Sequence, residues 1–549
     1  MPAARPNGVR QLQDGQQYDG AVGMCQTGDV PNGIPQHPRR VYVATMHAIG
    51  IDVGSTNVKV ALVDHAGTIA GHASRPLHTL RSGDAVEQDS DAIWGAVAEA
   101  ISEVTGASPV AAGDVVTIGV CSQYSSLVPV DAGGAALAPL VMYLDDRGAG
   151  ACCDILGRDE GAFALWVDHH GIPPVGGGLS LAHLLYFQMD RPELHERTAA
   201  YLEVVDLVNL RLTGRIAATQ CTMFAAQLCD NRTVGSISYD EQLVQMSGVD
   251  PDRLPPLIEI DGVVGELDST VALELGLPPG VVVRAGMNDT QAGAFATGAL
   301  ATPERCGLMV GTTAVLIQSV ETKQVDLDRE IMSMPAPVPG RYVVMAENGI
   351  AGRAVERALA ILSPDAVTSD QQFAELAAAL ATSAPGAGDL LFLPWLAGSM
   401  SPASSSTMRG GYLGMSLVTE RADLLRATVE GVARNLRWLW PAVGKLCGVG
   451  ATEVFFGGGA ARSNGVAQVL ADVLAVPVTV LDEPSLAVAR AVGSVALTHM
   501  TGGDPATLEI HRGTCHEPDP SATSVHDRLQ PIFEAAFEAN RSICEALGP

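Results

Sequence analysis

Short apolar runs alternate with amphipathic segments from Ile49 to about Met500, the pattern of an α/β chain. Ile49–Asp52 and Lys59–Val63 are β-rich runs separated by Gly, Ser, Thr and Asn, which predicts a β-hairpin rather than a strand–helix unit. Further strands are expected at Val115–Cys121, Leu137–Tyr143, Val281–Ala285, Leu308–Val310, Leu390–Leu393, Val454–Phe456 and Val478–Leu481. Helices fill the intervals. The clearest is Asp423–Trp440, where Leu425, Val429, Val432, Leu436 and Leu439 recur every three or four residues and form one apolar face. A Gly- and Ala-rich helix is expected over Thr290–Leu300. One phrase occurs twice, as Asp52-Val-Gly-Ser-Thr56 and as Val310-Gly-Thr-Thr313: a strand, a glycine, then small hydroxyl residues. The repetition suggests two related halves.

The chain of 549 residues is long enough for two large domains or several small ones. With 59 glycines, 47% hydrophobic and 4% aromatic residues, it reads as an Ala/Gly/Val-rich globular protein with close helix–sheet packing. A net charge of −28 excludes nucleic acid and acidic membrane surfaces as partners, because phosphate backbones repel such a surface. Ten scattered cysteines without a C-x-x-C pair fit reduced thiols and a cytoplasmic location. His169–His170, adjacent and without a ligand-spaced partner, is not assigned to a metal. Residues 1–45 carry no periodic apolar pattern and no signal-peptide core, so a disordered extension is expected, with Met46 an alternative start.

The chemistry concentrates at glycine turns. In the first, Gly54 is expected to take a left-handed backbone and bring the chain close to a phosphate. Ser55, Thr56, Asn57 and Lys59 add donors, and Asp52 at the strand end suits Mg²⁺, which takes carboxylate plus waters. Gly311, Thr312 and Thr313 offer the same groups a second time. The third turn, Gly457, Gly458, Gly459 and Ala460, permits flat contact with a purine or ribose and leads into a helix near Asn464. Each turn can also be read as plain strand punctuation. Asp289 follows the strand Val281–Ala285 and opens a helix. As a base it would accept a hydroxyl proton during phosphoryl transfer; as an N-cap it would satisfy backbone N–H groups, with its pKa held down by the helix terminus. Asp145 and Arg147, after Tyr143, suit either sugar hydroxyls or a surface ion pair.

The order of these pieces resembles the FGGY carbohydrate kinases of the actin/hexokinase/Hsp70 superfamily, from Ile49 to about Ala496. The most specific likeness is Gly410, Gly411, Tyr412, Leu413, Gly414 and Met415 followed, seven residues on, by Asp423, Leu424, Ala427, Thr428, Val429 and Glu430. Asp389–Gly398 resembles the family as well. The resemblance implies two ribonuclease-H-like lobes around a cleft, a sugar-binding lobe over 46–298 and a nucleotide-binding lobe with a short helical tail over 299–549. It implies ATP and Mg²⁺, Asp289 as catalytic base, and a small sugar or polyol substrate, a pentulose such as xylulose first. Contacts to that substrate are expected from Gln123, Tyr124, Asp145, Arg147, Asn288, Asp289 and Thr290, and a homodimer is possible by analogy. The departures cluster on the sugar side. Tyr124, Ser125 and Ser126 stand where xylulokinase-like members carry Met-His-Gly, Tyr143 replaces Trp, and His183 and Tyr186 replace Lys and Trp. Gly398–Pro402 departs from Gly-Glu-Arg-Thr-Pro. A non-catalytic sugar or nucleotide sensor is the alternative that such changes raise.

Overall fold

The computed structural model describes residues 46–547; the expectations for residues 1–45 and for an alternative start lie outside or at the edge of these. Two large mixed sheets organise the described residues. The first is built from β1 (His47–Val53), β2 (Asn57–Asp64), β3 (Ile69–Pro76), β4 (Val115–Ser122), β5 (Val263–Glu266), β6 (Val282–Arg284) and β7 (Met287–Asn288). Its order is β5-β6-β4-β1-β2-β3, with β7 also paired to β4. The second comprises β8 (Arg305–Val310), β9 (Ala314–Val320), β10 (Val325–Asp326), β11 (Ile331–Pro335), β12 (Tyr342–Asn348), β13 (Glu453–Gly457), β14 (Val478–Leu481) and β15 (Arg512–His516), in the order β10-β11-β12-β9-β8-β13-β14-β15.

The two sheets repeat one motif. β1 and β2 form an antiparallel hairpin in which Asp52 faces Lys59, and β1 runs parallel to β4. β8 and β9 form the second hairpin, closed by Val310 opposite Ala314, and β8 runs parallel to β13. The short repeated phrase therefore marks two equivalent hairpin turns. β1 is buried along its whole length, as a central strand covered on both faces must be.

Five helices matter to the site: α1 (Asp289–Ala296), α2 (Arg421–Cys447), α3 (Asn464–Leu474), α4 (Ala487–Thr501) and α5 (Pro520–Leu547). Although it lies in sequence between β14 and β15 of the second sheet, α4 lies across β1, β2 and β4 of the first and also packs on α1. Glycine makes the crossing possible. A Cβ at Gly50 would sit 1.9 Å from the carbonyl oxygen of Ala489, one at Gly119 would sit 2.7 Å from that of Val492, and one at Gly493 would meet Gly50 N at 3.0 Å. A shared apolar cluster of Cys121, Met287, Phe295, Ile317, Met345 and Val492 fills the space between the sheets.

Several boundaries differ from expectation. The strand expected over Leu137–Tyr143 shrinks to Leu140–Val141, leaving Tyr143 in a turn. The helix opening at Asp289 ends at Ala296, not Leu300; Thr297 caps it and Gly298 turns left-handed. α2 continues seven residues beyond Trp440, through Pro441, to a left-handed Gly448. Burial of Leu439 and Val443 on either side of the proline offsets the one backbone hydrogen bond that proline forgoes. The tail is a 28-residue helix rather than a short one. Among the described residues no helix is long and apolar enough to cross a membrane.

Gly50→Ala is expected to lower the denaturation midpoint by an amount equivalent to about 1–3 kcal/mol or more, since its methyl meets backbone that can move only if α4 moves. Gly459→Ala, where a Cβ meets nothing within 4 Å, is expected to leave the midpoint nearly unchanged.

Candidate active site

A cavity of about 640 Å³ opens between the sheets, within the range of small-molecule sites. All three glycine turns reach it. Ser55, Thr56, Asn57 and Lys59 line it from the first hairpin, Gly311 and Thr312 from the second, and Gly459 and Ala460 from the third. The second turn is fixed by backbone: Gly311 N donates to Thr313 O at 2.9 Å, and the first N–H groups of the helix Gly352–Leu362 donate to the carbonyls of Gly311 and Thr312. That helix brings Arg353 to the wall.

Not every expected residue faces the cavity. Gly54 does not adopt a left-handed backbone; its N–H donates to Asn57 O at 3.0 Å and closes the hairpin, so phosphate contact falls to the three residues after it. Gly457 and Gly458 serve packing. A Cβ at Gly458, which has φ 89°, would lie 2.5 Å from Val310 O, and one at Gly457 would meet Met309. The double glycine thus lets the third turn lie against the second, while Gly459 is left facing the cavity. Asn464, the first residue of α3, is exposed and outside the cavity wall.

Asp289 is the first residue of α1, and the cap is its neighbour: the Asn288 side chain accepts from Gln291 N at 2.8 Å, and Gln291 Oε1 accepts from Asn288 N at 2.9 Å. This capping box relieves Asp289 of the N-cap role, and occupies the Asn288 side-chain oxygen that was expected to meet sugar. Asp289 keeps one local bond, from Thr290 N to Oδ1 at 2.8 Å. Asp289 is exposed to solvent although protein surrounds it densely. That burial, then the negative charges of Asp52 and Glu347, push its pKa up to about 7, opposite to the lowering expected from the helix terminus.

Asp52 is almost buried, with Lys59 Nζ at 3.5 Å and Cys121 Sγ at 3.8 Å. Tyr124 sits beside these acids, its hydroxyl 3.7 Å from Met345 Sδ; burial, then Glu347 and Asp289, raise its pKa. Gln123 Nε2 donates to Gln88, and its buried Oε1 has no protein partner. The Thr290 hydroxyl lies 3.9 Å from Met345 Sδ.

Asp145 and Arg147 are bound to each other and to their surroundings. Both oxygens of the fully buried Asp145 accept from Arg147 Nε, at 2.9 and 3.0 Å, and Oδ2 also accepts from Val86 N. Burial opposes ionisation there, yet the hydrogen bonds from Arg147 and Val86 hold the carboxyl below its usual range. Arg147 also donates to Glu87 at 2.6 Å and to the Tyr186 hydroxyl at 2.9 Å, and its guanidinium lies 4.4 Å from the Tyr186 ring centre. His183, buried and held neutral by burial with a pKa of about 4, contacts Asp145 O. The substituted His183 and Tyr186 thus brace this pair. The pair His169–His170 is divided, His169 to Asp240 and His170 to Phe224 O.

Sequence reasoning missed the wall formed by Arg353, Phe373 and Arg462 and the acid Glu347. Arg462 stands 4.7 Å over the Phe373 ring. Its place just after the glycine turn was a usable signal; Phe373 and Glu347 carried none.

Models of the N-terminal and C-terminal domains of the FGGY family of carbohydrate kinases match residues 47–296 and 307–501. The chain belongs to the FGGY family of carbohydrate kinases. A xylulose kinase of Bacillus subtilis (strain 168) is 27% identical over 392 residues, 71% of this chain and 76% of that protein. A gluconokinase of the same strain is 22% identical over 506 residues, 89% and 95% of the two chains. The ligand-bound xylulose kinase from Lactobacillus acidophilus superimposes with a TM-score of 0.79 at 20% identity, covering 92% of this chain and 100% of that one. The fold is that of the actin-like ATPases, and the protein is an ATP-dependent carbohydrate kinase. The FGGY sequence element in α2 proves to be architectural: Asp423 closes a capping box with Glu420, and buried Glu430 joins Arg426 and Arg434 at 3.2 Å each, while Val429, Val432 and Leu436 of the same helix line the cavity.

With Asp289 as the proton acceptor, activity would depend on pH in one direction, because the carboxylate must be ionised to act. kcat/KM is expected to rise as pH passes through about 7 and to fall roughly tenfold per unit well below it; a pH–rate profile at saturating ATP checks this.

Proposed function

We propose that the chain transfers the γ-phosphoryl group of ATP to a hydroxyl of a small sugar or polyol, with a pentulose such as xylulose as first candidate and Asp289 as general base. The observation that carries this reading is Asp289 itself, freed from capping by Asn288, open to the cleft, and tuned to titrate near neutrality. The xylulose kinases among the relatives support a pentulose.

In the proposed step the acceptor oxygen attacks the γ-phosphorus and its proton passes to Asp289. The bond from γ-phosphorus to the β,γ-bridging oxygen breaks, and ADP departs with that electron pair. Donors in the Ser55–Asn57 and Gly311–Thr313 turns would hold phosphate oxygens, with Lys59 as point charge; Gly459 and Ala460, with Phe373 and Arg462, would border the nucleoside. Such transfer depends on positioning and charge neutralisation more than on covalent help. Asp52 fits Mg²⁺, which is held by one or two carboxylates plus phosphates and waters rather than by an all-protein cage; no group of three or more ligating side chains occurs among the described residues. Bound there, Mg²⁺ would neutralise phosphate charge. The nine described cysteines are all free, which supports a reducing, cytoplasmic setting.

Asp289→Ala is expected to lower kcat by about 10²–10⁴-fold while ATP still binds, measured by ADP release over a sugar panel and by calorimetry. Unchanged turnover would remove the base from this reading. Binding of sugars with no turnover by the wild type would favour the sensor.

A further inference from the structure

Side chains on a strand alternate faces, so Val343, Met345 and Glu347 of β12 share one. Val343 and Met345 are buried in the cluster between the sheets, beside Met287, Ala292 and Phe295. Met345 touches both the Tyr124 and the Thr290 hydroxyls. Glu347 is the next residue on that face, where the apolar stripe runs out onto the cleft floor beside Asp289. It is half-buried, it hydrogen-bonds to Thr313 in the second turn, and among the described residues it joins no ion pair. Burial, eased in part by the Thr313 bond, raises its pKa.

Several cations around this point are engaged. Arg147 is consumed by Asp145, Glu87 and Tyr186. Lys59 pairs with Asp52 and, like Arg81, Arg353 and Arg462, lines the nucleotide cavity. Beneath Tyr124, Glu203 accepts from Ser126 N at 3.0 Å and from Ser180. The acceptor end of the cleft therefore presents carboxyl groups, while Arg353, which joins no ion pair among the described residues, stands on the wall of the nucleotide cavity.

We propose that Glu347 is a specificity-determining residue that admits uncharged ketoses and polyols and turns acidic sugars away. The proposal rests on the kinase reading, with the acceptor bound next to Asp289. A carboxylate-bearing sugar placed there would meet a second carboxylate. Discrimination by an unfavourable juxtaposition is as effective as discrimination by an added attraction. Both kinds of substrate occur among the relatives' names, xylulose and gluconate, so the distinction is a real one within this fold.

The test measures kcat/KM for ketoses and polyols against the aldonates of the same carbon number, such as D-xylulose against D-xylonate and D-glucitol against D-gluconate. The wild type is expected to favour the best neutral acceptor over its aldonate by more than a hundredfold. Glu347→Gln, which keeps an oxygen for Thr313 and removes the charge, is expected to narrow that ratio at least tenfold. A wild type that phosphorylates an aldonate as well as its neutral partner overturns the proposal without a variant and leaves the kinase reading intact. An unchanged ratio in Glu347→Gln overturns it as well. Failure of the wild type to phosphorylate any neutral or acidic member overturns the kinase reading, and the proposal with it.

Discussion

The backbone contact between α4 and β1 is the constraint on which the rest of the site depends. A helix that lies in sequence between two strands of the second sheet rests directly on the central strand of the first, and it does so because residues 50, 119 and 493 lack a Cβ. β1 ends in the first phosphate turn, and α1, which carries Asp289, packs on the same helix. One contact therefore links Asp289 and the first glycine turn to a helix drawn from the second half of the chain. Such close packing is bistable rather than compliant, and it rests on a few glycines rather than on the turns themselves.

The local pattern was sufficient for the first hairpin, specified within a dozen residues by two apolar runs, a glycine and small hydroxyls; of the second it marked the strand and the turn but not the returning strand Ala314–Val320. It was also sufficient to single out Asp289, whose neighbours predict a helix start. It could not separate Asp289 from Asn288 as the cap, because both residue types cap well; the decision lay with Gln291, which completes the box with Asn288. The charge state was misjudged for a related reason. A helix terminus lowers a carboxyl's pKa within one turn, but burial and two acids from distant strands outweigh it, and neither Asp52 nor Glu347 is near Asp289 in sequence.

The glycines show the same divide. Three in a row after a strand were read as one nucleotide contact, yet two of them accommodate the carbonyl of Val310 and the side chain of Met309. Asp145 and Arg147 were read as either sugar contacts or an ion pair; the fold pairs them and adds Val86, Glu87 and Tyr186, brought together from separate segments. Sequence reveals which groups carry chemistry. Whether a group is available depends on partners supplied by the fold.

Charge in the cleft is arranged against the character of the whole chain. A molecule with net charge −28 places Lys59, Arg81, Arg353 and Arg462 around the cavity, where the proposed polyphosphate would need them. Acids gather at the other end. The arrangement suits phosphoryl transfer because the transferred group carries negative charge toward an acceptor that is losing a proton. A carboxylate at that end repels the incoming phosphoryl unless it takes up the proton as the bond forms. A base that titrates near neutrality does so readily, and one with an ordinary carboxylate pKa would hold its charge and oppose the approach. The neighbouring acids that make Asp289 costly to ionise are thus part of what makes it useful. The acids that raise the pKa of Asp289 also put negative charge at this end, so its proposed role as base and the proposed exclusion of charged acceptors draw on one arrangement of side chains.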